Sequence, residues 1–114
     1  MSQTLDQLFG ALANEHRREI VRMLALQPFA IHQLADARGL SLPAIHKHIK
    51  VLEKAGLVKR KKLGRTNILA FRREGMMQVQ AWAGLFHTLW GTDLASFENY
   101  ADFVARTPKT GEEQ

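Results

Sequence analysis

The sequence predicts a mainly α-helical domain that carries one small β-hairpin. In residues 1–56, apolar side chains recur every three or four positions, which is the spacing of one helix face. Between residues 57 and 71 the polarity alternates loosely, as in strands, and Gly64 stands in the middle as a turn residue. Helical spacing then returns. A two-stranded hairpin is not stable alone in water, so this one is expected to lean on the helices.

Residues that favour helix ends divide the first part of the chain into four helices. The first is expected over about residues 4–13 and the fourth over about residues 42–55. A side-chain oxygen caps the start of a helix, whereas glycine or proline ends one. The second and fourth helices start after Asn14 and Ser41, and the second, third and fourth end at Pro28, Gly39 and Gly56.

The hairpin and two further helices complete the predicted order. The strands are expected at residues 57–62 and 66–71, joined through Leu63-Gly64-Arg65. A fifth helix is expected over about residues 74–90 and a shorter sixth over about residues 94–104. Four helices followed by a hairpin that packs on them are typical of a winged helix-turn-helix, in which the hairpin is the wing.

Basic residues are concentrated in one block of the chain. The whole chain has a net charge of +5, but residues 47–73 hold ten basic residues and one acidic residue, a net charge of +9. The residues before this block are neutral overall, and those after it carry −4. Such a block is expected for a protein whose partner is a polyanion such as DNA. The alternative is a solvated lysine-rich surface, and the position of the block in the fold decides between them.

The predicted fourth helix has one apolar side and one basic side. In a helix-turn-helix, the N-terminal part of this second helix of the motif enters the major groove of DNA. Lys47 or His46 can donate to guanine, and Ala44 can contact a thymine methyl group. Ser41 and the free N–H groups at the helix start suit a phosphate. His48 lies near the core edge, where packing or one phosphate contact is expected. The predicted DNA-binding residues of this helix are Ser41, Pro43, Ala44, His46, Lys47, His48, Lys50 and Lys54.

Five cations crowd the first strand and the tip of the hairpin. Successive strand residues point to opposite faces, so these side chains cannot all reach one duplex. Arg65, beside Gly64 at the tip, is the first candidate for a contact with the DNA backbone or minor groove, and Lys61 and Lys62 come next. For Lys59 and Arg60, protection of an edge strand against pairing is an equally good explanation.

Several segments of the chain match one known pattern. They are Leu8 to Ile20, Leu34-Ala35, Gly39-Leu40-Ser41, His48 to Val58 and Gly64-Arg65. Together they resemble the arsenic-repressor (ArsR) family of bacterial and archaeal winged-helix regulators, over about residues 5–72. The resemblance implies a homodimer that binds a palindromic operator in double-stranded DNA and represses transcription.

The resemblance also implies that the first helix and the last long helix form the dimer. Both segments are apolar in this chain, and the fifth helix carries two tryptophans and a phenylalanine. These rings exceed what a small monomer needs to cover, although they can equally cover the monomer's own core. The predicted interface residues are Leu5, Leu8, Leu12, Met77, Trp82, Leu85, Phe86 and Leu89.

The metal ligands of the metal-sensing members are missing from this chain. Those members carry Cys-x-Cys in the third helix, where this chain has Ala30 and His32. Others place ligands along the last helix, where this chain offers only Glu74 and His87, about 20 Å apart along a helix. No metal or other cofactor is therefore expected, apart from a site shared between subunits as a minor alternative. A small-molecule or protein effector stays open.

Length and composition favour a single non-catalytic domain. Residues 1–106 are expected to form one DNA-binding and dimerisation domain, and residues 107–114 a disordered tail. An enzyme is not expected, because cysteine, a carboxylate pair near a histidine and a glycine-rich phosphate loop are all missing. No apolar run approaches the roughly 20 residues of a membrane span, and the first residues do not resemble a signal peptide, so a cytoplasmic protein is expected.

Two other functions compete with sequence-specific repression. A protein that coats DNA without sequence preference would bind all sequences alike, with an affinity set by salt. A winged-helix protein-interaction module would more often lack lysines on the recognition face, so Lys47, Lys50 and Lys54 argue against it.

Overall fold

The computed structural model describes residues 4–90 and 96–106, without the side chains of residues 88–90 and 96–99. The chain divides into two compact units, Met1–Gln80 and Ala81–Gln114, and the division falls inside the fifth helix. The predicted tail, residues 107–114, lies outside the described residues. No helix in the described part of the chain is long and apolar enough to cross a membrane.

The predicted mainly helical fold with a small sheet is confirmed. Every predicted helix is present, and the ends differ from the prediction by at most about two residues. The elements in chain order are α1 (Leu5–Leu12), α2 (Glu15–Leu26), β1 (Phe29–Ala30), α3 (Ile31–Arg38), α4 (Leu42–Lys54), β2 (Val58–Leu63), β3 (Thr66–Phe71), α5 (Arg73–Trp90) and α6 (Ser96–Arg106).

The turn between α3 and α4 is formed as its residues predict. Gly39 ends α3 with φ of 65°, in the left-handed region that glycine occupies at no steric cost. Ser41 then caps α4, and its Oγ accepts a hydrogen bond from the Ala44 N–H at 3.3 Å. Asn14 caps α2 in the same way. Both helices therefore begin at residues that the sequence singles out.

The sheet has three strands, one more than the prediction. The strands run in the order β1–β3–β2, and β3 is antiparallel to both neighbours. The hairpin is tighter than expected, because Leu63 pairs with Thr66 and only Gly64-Arg65 form the turn. The additional strand β1 has two residues, and Phe29 pairs with Leu69. This pairing ties the hairpin to the segment between α2 and α3.

The apolar core of the first unit joins the helices to the sheet. Gly75 at the start of α5 is also buried there, and a Cβ atom at this position would lie 2.9 Å from Cδ2 of Leu8 and 3.1 Å from the Gly56 carbonyl oxygen. Only a residue without a side chain allows this close approach. The largest fully buried side chains are Leu8, Ile20, Leu34, Ile45, Ile49, Leu52, Leu57, Val58 and Leu69.

The second unit consists of the end of α5 and helix α6. The rings of Trp82 and Phe86, one helical turn apart on α5, pack edge to face with centroids 4.7 Å apart. Helix α6 exposes Tyr100, Phe103 and Val104.

Candidate nucleic-acid interface

Helix α4 separates its apolar and basic side chains onto opposite sides. Ile45, Ile49 and Leu52 are completely buried against the core of the first unit. The side chains on the opposite side, Pro43, Lys47, Lys50 and Lys54, are all exposed. At about 100° per residue the four lie within one stripe along the helix. The helix therefore presents a row of three cations to solvent, preceded by a proline.

The first turn of α4 offers fewer free donors than the sequence suggests. The Ala44 N–H is already bound by Ser41 Oγ, and Pro43 has no N–H at all. Ala44 is half-buried, whereas Ser41, Pro43 and His46 are exposed. A phosphate at this helix start would therefore depend on side-chain donors more than on backbone groups.

An ion pair between Arg60 of the hairpin and Glu53 of α4 links these two elements. Nε and one terminal nitrogen of Arg60 each lie 3.1 Å from a carboxylate oxygen of Glu53, a two-bond contact that holds the guanidinium in one orientation. Glu53 is the one acidic residue of the basic block between residues 47 and 73. Arg60 is thus engaged within the protein, a role that the sequence did not indicate because the partners lie in different elements.

The hairpin register separates Lys61 from Lys62. Directly paired residues of antiparallel strands share a face, and Lys62 is paired with Asn67 whereas Lys61 is paired with Ile68. The face of Lys62 also carries the completely buried Leu69, so it is the face turned toward the helices. Lys61 lies on the other face. The two lysines, predicted together, therefore point to different sides of the hairpin.

The hairpin tip lies close to the N-terminal ends of α3 and α4. Arg65 and His46, which were both predicted to contact DNA, line one cavity of about 210 Å³. His32, Leu42 and Asn67, which were not predicted, line the same cavity. The structure therefore brings the recognition helix and the tip of the wing together around a common space.

His48 is turned away from the exposed row of lysines. Its Nδ1 lies 3.2 Å from a terminal nitrogen of Arg17, and its ring centroid lies 5.6 Å from that of His16. His16 in turn accepts a hydrogen bond from Arg38 Nε at 3.1 Å. Partial burial lowers the pKa of His48, and electrostatic interactions with Arg17 and His16 lower it further. This geometry favours the packing role of His48 over a phosphate contact.

Arg17 connects three helices. Its Nε donates to the Ala11 carbonyl oxygen at 2.6 Å, and another nitrogen donates to the Gly10 carbonyl oxygen at 3.3 Å. These carbonyls belong to the C-terminal end of α1, and the Gly10 oxygen also accepts a hydrogen bond from the Ala13 N–H at 3.3 Å. With its contact to His48, the Arg17 side chain links α1 and α4 from its own place in α2. No sequence pattern indicates this role, because the partners are up to 31 residues apart.

Seven of the eight predicted dimer-interface residues have described side chains, and these are buried, half-buried or exposed. Leu8 has no exposed surface in the single chain and packs the core of that chain, so the interface proposed below leaves it out. Its neighbour Phe9, which was not predicted, is 39 % exposed. The half-buried positions are Leu5, Leu12 and Phe86, the exposed positions are Met77, Trp82 and Leu85, and the side chain of Leu89 lies outside the described residues.

The candidate metal ligands are dispersed. Glu74 lies 3.8 Å from Arg72, and His32 lines the cavity at the hairpin tip. Within residues 4–90 and 96–106, no three His, Asp or Glu side chains are close enough together to hold a metal ion.

The fold and the basic surface define a winged helix-turn-helix domain. A family model described as a helix-turn-helix domain matches residues 12–61. The chain is 45 % identical over 53 residues to the HTH-type transcriptional regulator Rv2034 of Mycobacterium tuberculosis. That match covers 46 % of this chain and only 50 % of the relative.

Solved structures extend the similarity over most of the chain. An ArsR family transcriptional regulator is 32 % identical, with a TM-score of 0.70 over 82 % of this chain and 100 % of that chain. The homodimeric winged helix-turn-helix DNA-binding domain Mb0332 of Mycobacterium bovis is 23 % identical, with a TM-score of 0.61 over 75 % of this chain and 81 % of that chain. The chain belongs to the ArsR family of transcriptional regulators, as the sequence motifs indicate.

Proposed function

We propose that this protein is a sequence-specific repressor that binds a palindromic operator as a homodimer. The observation that carries the proposal is the stripe of Lys47, Lys50 and Lys54 on the exposed side of α4. The buried side of the same helix anchors it, so these lysines are presented by a rigid element. The hairpin adds exposed cations next to the helix, which is the arrangement that family membership associates with DNA.

The position along α4 divides the proposed contacts into two kinds. The N-terminal half of a recognition helix lies deepest in the major groove, so Ala44, His46 and Lys47 are the proposed base contacts. Lys54 lies about 10 Å further along the helix and suits a backbone phosphate, and Lys50 lies between. In the wing, Arg65 and Lys62 are better placed than Lys61, because they lie at the tip and on the helix-facing side.

The homodimer is proposed from the apolar surface of two helices. Phe9 on α1, and Met77, Trp82 and Leu85 on α5, are large apolar residues that are exposed in the single chain. Homodimers commonly bury such side chains, and a twofold protein matches a palindromic site. A homodimer is also what is described for the Mycobacterium bovis domain. The interface proposed for this chain omits Leu8 and includes Phe9.

The test compares the DNA upstream of the protein's own gene with a scrambled duplex of the same composition. Fluorescence anisotropy at two salt concentrations should show an affinity gap of about a thousandfold at physiological salt. Arg22→Ala removes one positive charge outside the proposed surface, where Arg22 is paired with Glu19, and serves as a control that should keep the gap. Equal affinities that fall steeply with salt would instead indicate a protein that coats DNA. Absence of binding to both duplexes would also overturn the proposal.

A further inference from the structure

The cavity at the hairpin tip is lined by groups that can bind an anion. His32 comes from α3, His46 from α4, and Arg65, Thr66 and Asn67 come from the turn and β3. The guanidinium is always protonated and is a fork of donors that fits phosphate oxygens. Imidazole, hydroxyl and amide groups supply further donors. None of the described lining residues is acidic.

The size and the charge of the cavity restrict its ligand. Its volume of about 210 Å³ is below the roughly 300–1,000 Å³ of pockets for drug-sized molecules, so it suits one small group. A metal cation is disfavoured, because the Arg65 guanidinium would repel it. The titratable or charged groups that line the cavity are His32, His46 and Arg65, and all of them can attract negative charge.

The cavity lies between the two elements that are proposed to approach DNA. His46 precedes Lys47 on α4, and Arg65 occupies the hairpin turn. We infer that the cavity binds one phosphate of the operator backbone, held between the imidazoles of His32 and His46 and the guanidinium of Arg65. This inference rests on the proposed function. A phosphate held there would fix the distance between wing and recognition helix, and so set the register in which α4 meets the bases.

The inference assigns a DNA contact to His32, which lies outside both the recognition helix and the wing. Phosphates lie along the whole duplex, but a cavity of about 210 Å³ lined by residues of α3, α4 and the hairpin has room for only one at a time. The contact therefore predicts one phosphate in each half-site at which the loss of affinity depends on the cavity residues, whereas losses at phosphates bound by other side chains, such as Lys54, do not depend on them.

The experiment is a scan of the operator with single methylphosphonate substitutions, each of which removes one backbone charge. Wild-type protein should lose about tenfold in affinity at the cavity's phosphate in each half-site, in addition to losses at phosphates that other side chains bind. His32→Gln should lose about tenfold on the unmodified operator and nothing further at that position, because the contact is then already absent. Arg65→Gln should behave in the same way. His87→Gln, which replaces an exposed histidine that does not line the cavity, should retain the wild-type pattern.

The outcomes separate the site from the proposed function. Suppose that wild-type protein prefers its operator, but His32→Gln weakens binding by the same factor on every methylphosphonate-substituted operator as on the unmodified one. The phosphate site is then wrong and the repressor proposal stands. If wild-type protein does not discriminate between operator and scrambled duplex, both fail. Inorganic phosphate is the other source of the same group. Histidine NMR shifts of His32 and His46 that saturate with phosphate and are not reversed by operator would overturn the DNA source.

Discussion

The guanidinium of Arg17 lies 3.2 Å from Nδ1 of His48 and so links α2 to the proposed recognition helix. Arginine is only a donor, so Nδ1 must be the acceptor and the ring is neutral with its proton on Nε2. The same guanidinium binds carbonyl oxygens at the end of α1. The Arg17 side chain therefore binds both α1, which is proposed to contact the partner subunit, and α4, which is proposed to contact DNA.

Replacing Arg17 should destabilise the first unit. Arg17→Ala leaves the Ala11 carbonyl oxygen and His48 without their charged donor, and hydrogen bonds of this kind contribute about 1.5–3 kcal/mol. The free energy of unfolding in urea should fall by about that amount. Arg22→Ala is the matched control in the same helix, because its ion pair with Glu19 is exposed and should contribute little. Equal effects of the two substitutions would contradict the proposed linkage.

Stability should decrease in mild acid because of His48. Its pKa in the folded chain lies below the ordinary value of 6.5, so the unfolded chain binds a proton more readily. The contribution of the neutral ring is fully present above about pH 6.5 and is lost as the pH falls toward the folded pKa. Urea unfolding between about pH 8 and about pH 5.5, which is roughly one unit below the ordinary pKa of histidine, should show this decrease in the free energy of unfolding. His48→Gln should make this decrease smaller, and an unchanged decrease in that variant would count against the assignment.

Gly75 and Gly84 in α5 form a matched pair of glycines. Gly75→Ala forces a Cβ atom against Leu8 and the Gly56 carbonyl, and overpacking of this kind costs about 1–3 kcal/mol. Apart from the backbone of its own helix, no atom of the described residues lies within 4 Å of a Cβ atom at Gly84, so Gly84→Ala should stabilise the helix by up to about 1 kcal/mol. Denaturant unfolding should show that the free energy of unfolding falls in Gly75→Ala and rises in Gly84→Ala. A neutral Gly75→Ala would mean that the start of α5 can move away from α1.

Lys47 and Lys54 should differ in what they contribute to DNA binding. Lys47→Ala should cost about 1–3 kcal/mol on the operator and less on scrambled DNA, as expected for a base contact. Lys54→Ala should weaken binding to the operator and to scrambled DNA by the same factor. It should also reduce the slope of log affinity against log salt concentration by about one. Anisotropy titrations of the two variants on both duplexes make the comparison. The same uniform loss in both variants would show that Lys47 contacts a phosphate.

The proposed dimer should dissociate when its interface receives a charge. Trp82 is 42 % exposed in the single chain, and Trp82→Glu places a carboxylate at this position. Burying that charge at an apolar interface is costly. Sedimentation should show monomers, and operator affinity should fall with the loss of one half-site. Leu26→Glu, at a position 77 % exposed on α2, is the control that should stay dimeric. A dimeric Trp82→Glu would place the interface elsewhere.

The elements that could be predicted from sequence are those with local causes. The apolar and basic sides of α4 follow from the helical spacing of its own residues, and the turn before α4 follows from Gly39 and Ser41. Strand β1 was missed because two residues are too few to form a pattern, and its partner β3 lies about 40 residues away in sequence.

Side-chain burial and long-range contacts were harder to predict. Leu8 and Phe9 are adjacent on α1, and the apolar period cannot say which of two neighbours faces the core. The roles of Arg17 and Arg60, and the cavity that His32 and Arg65 both line, depend on how separate elements pack. Such contacts arise only from the tertiary structure, since the residues involved are far apart in the chain.

The strand order β1–β3–β2 places β2 at an edge of the sheet. An edge strand has unpaired backbone groups that can add a strand from another molecule, which is a route to aggregation. Here Lys59, Arg60, Lys61 and Lys62 follow one another along that edge, and all are exposed. Two copies of this edge repel each other, whereas a duplex is attracted. The charge that we propose attracts DNA is thus also expected to keep copies of the protein apart, and neutral replacements in β2 should reduce solubility as well as affinity.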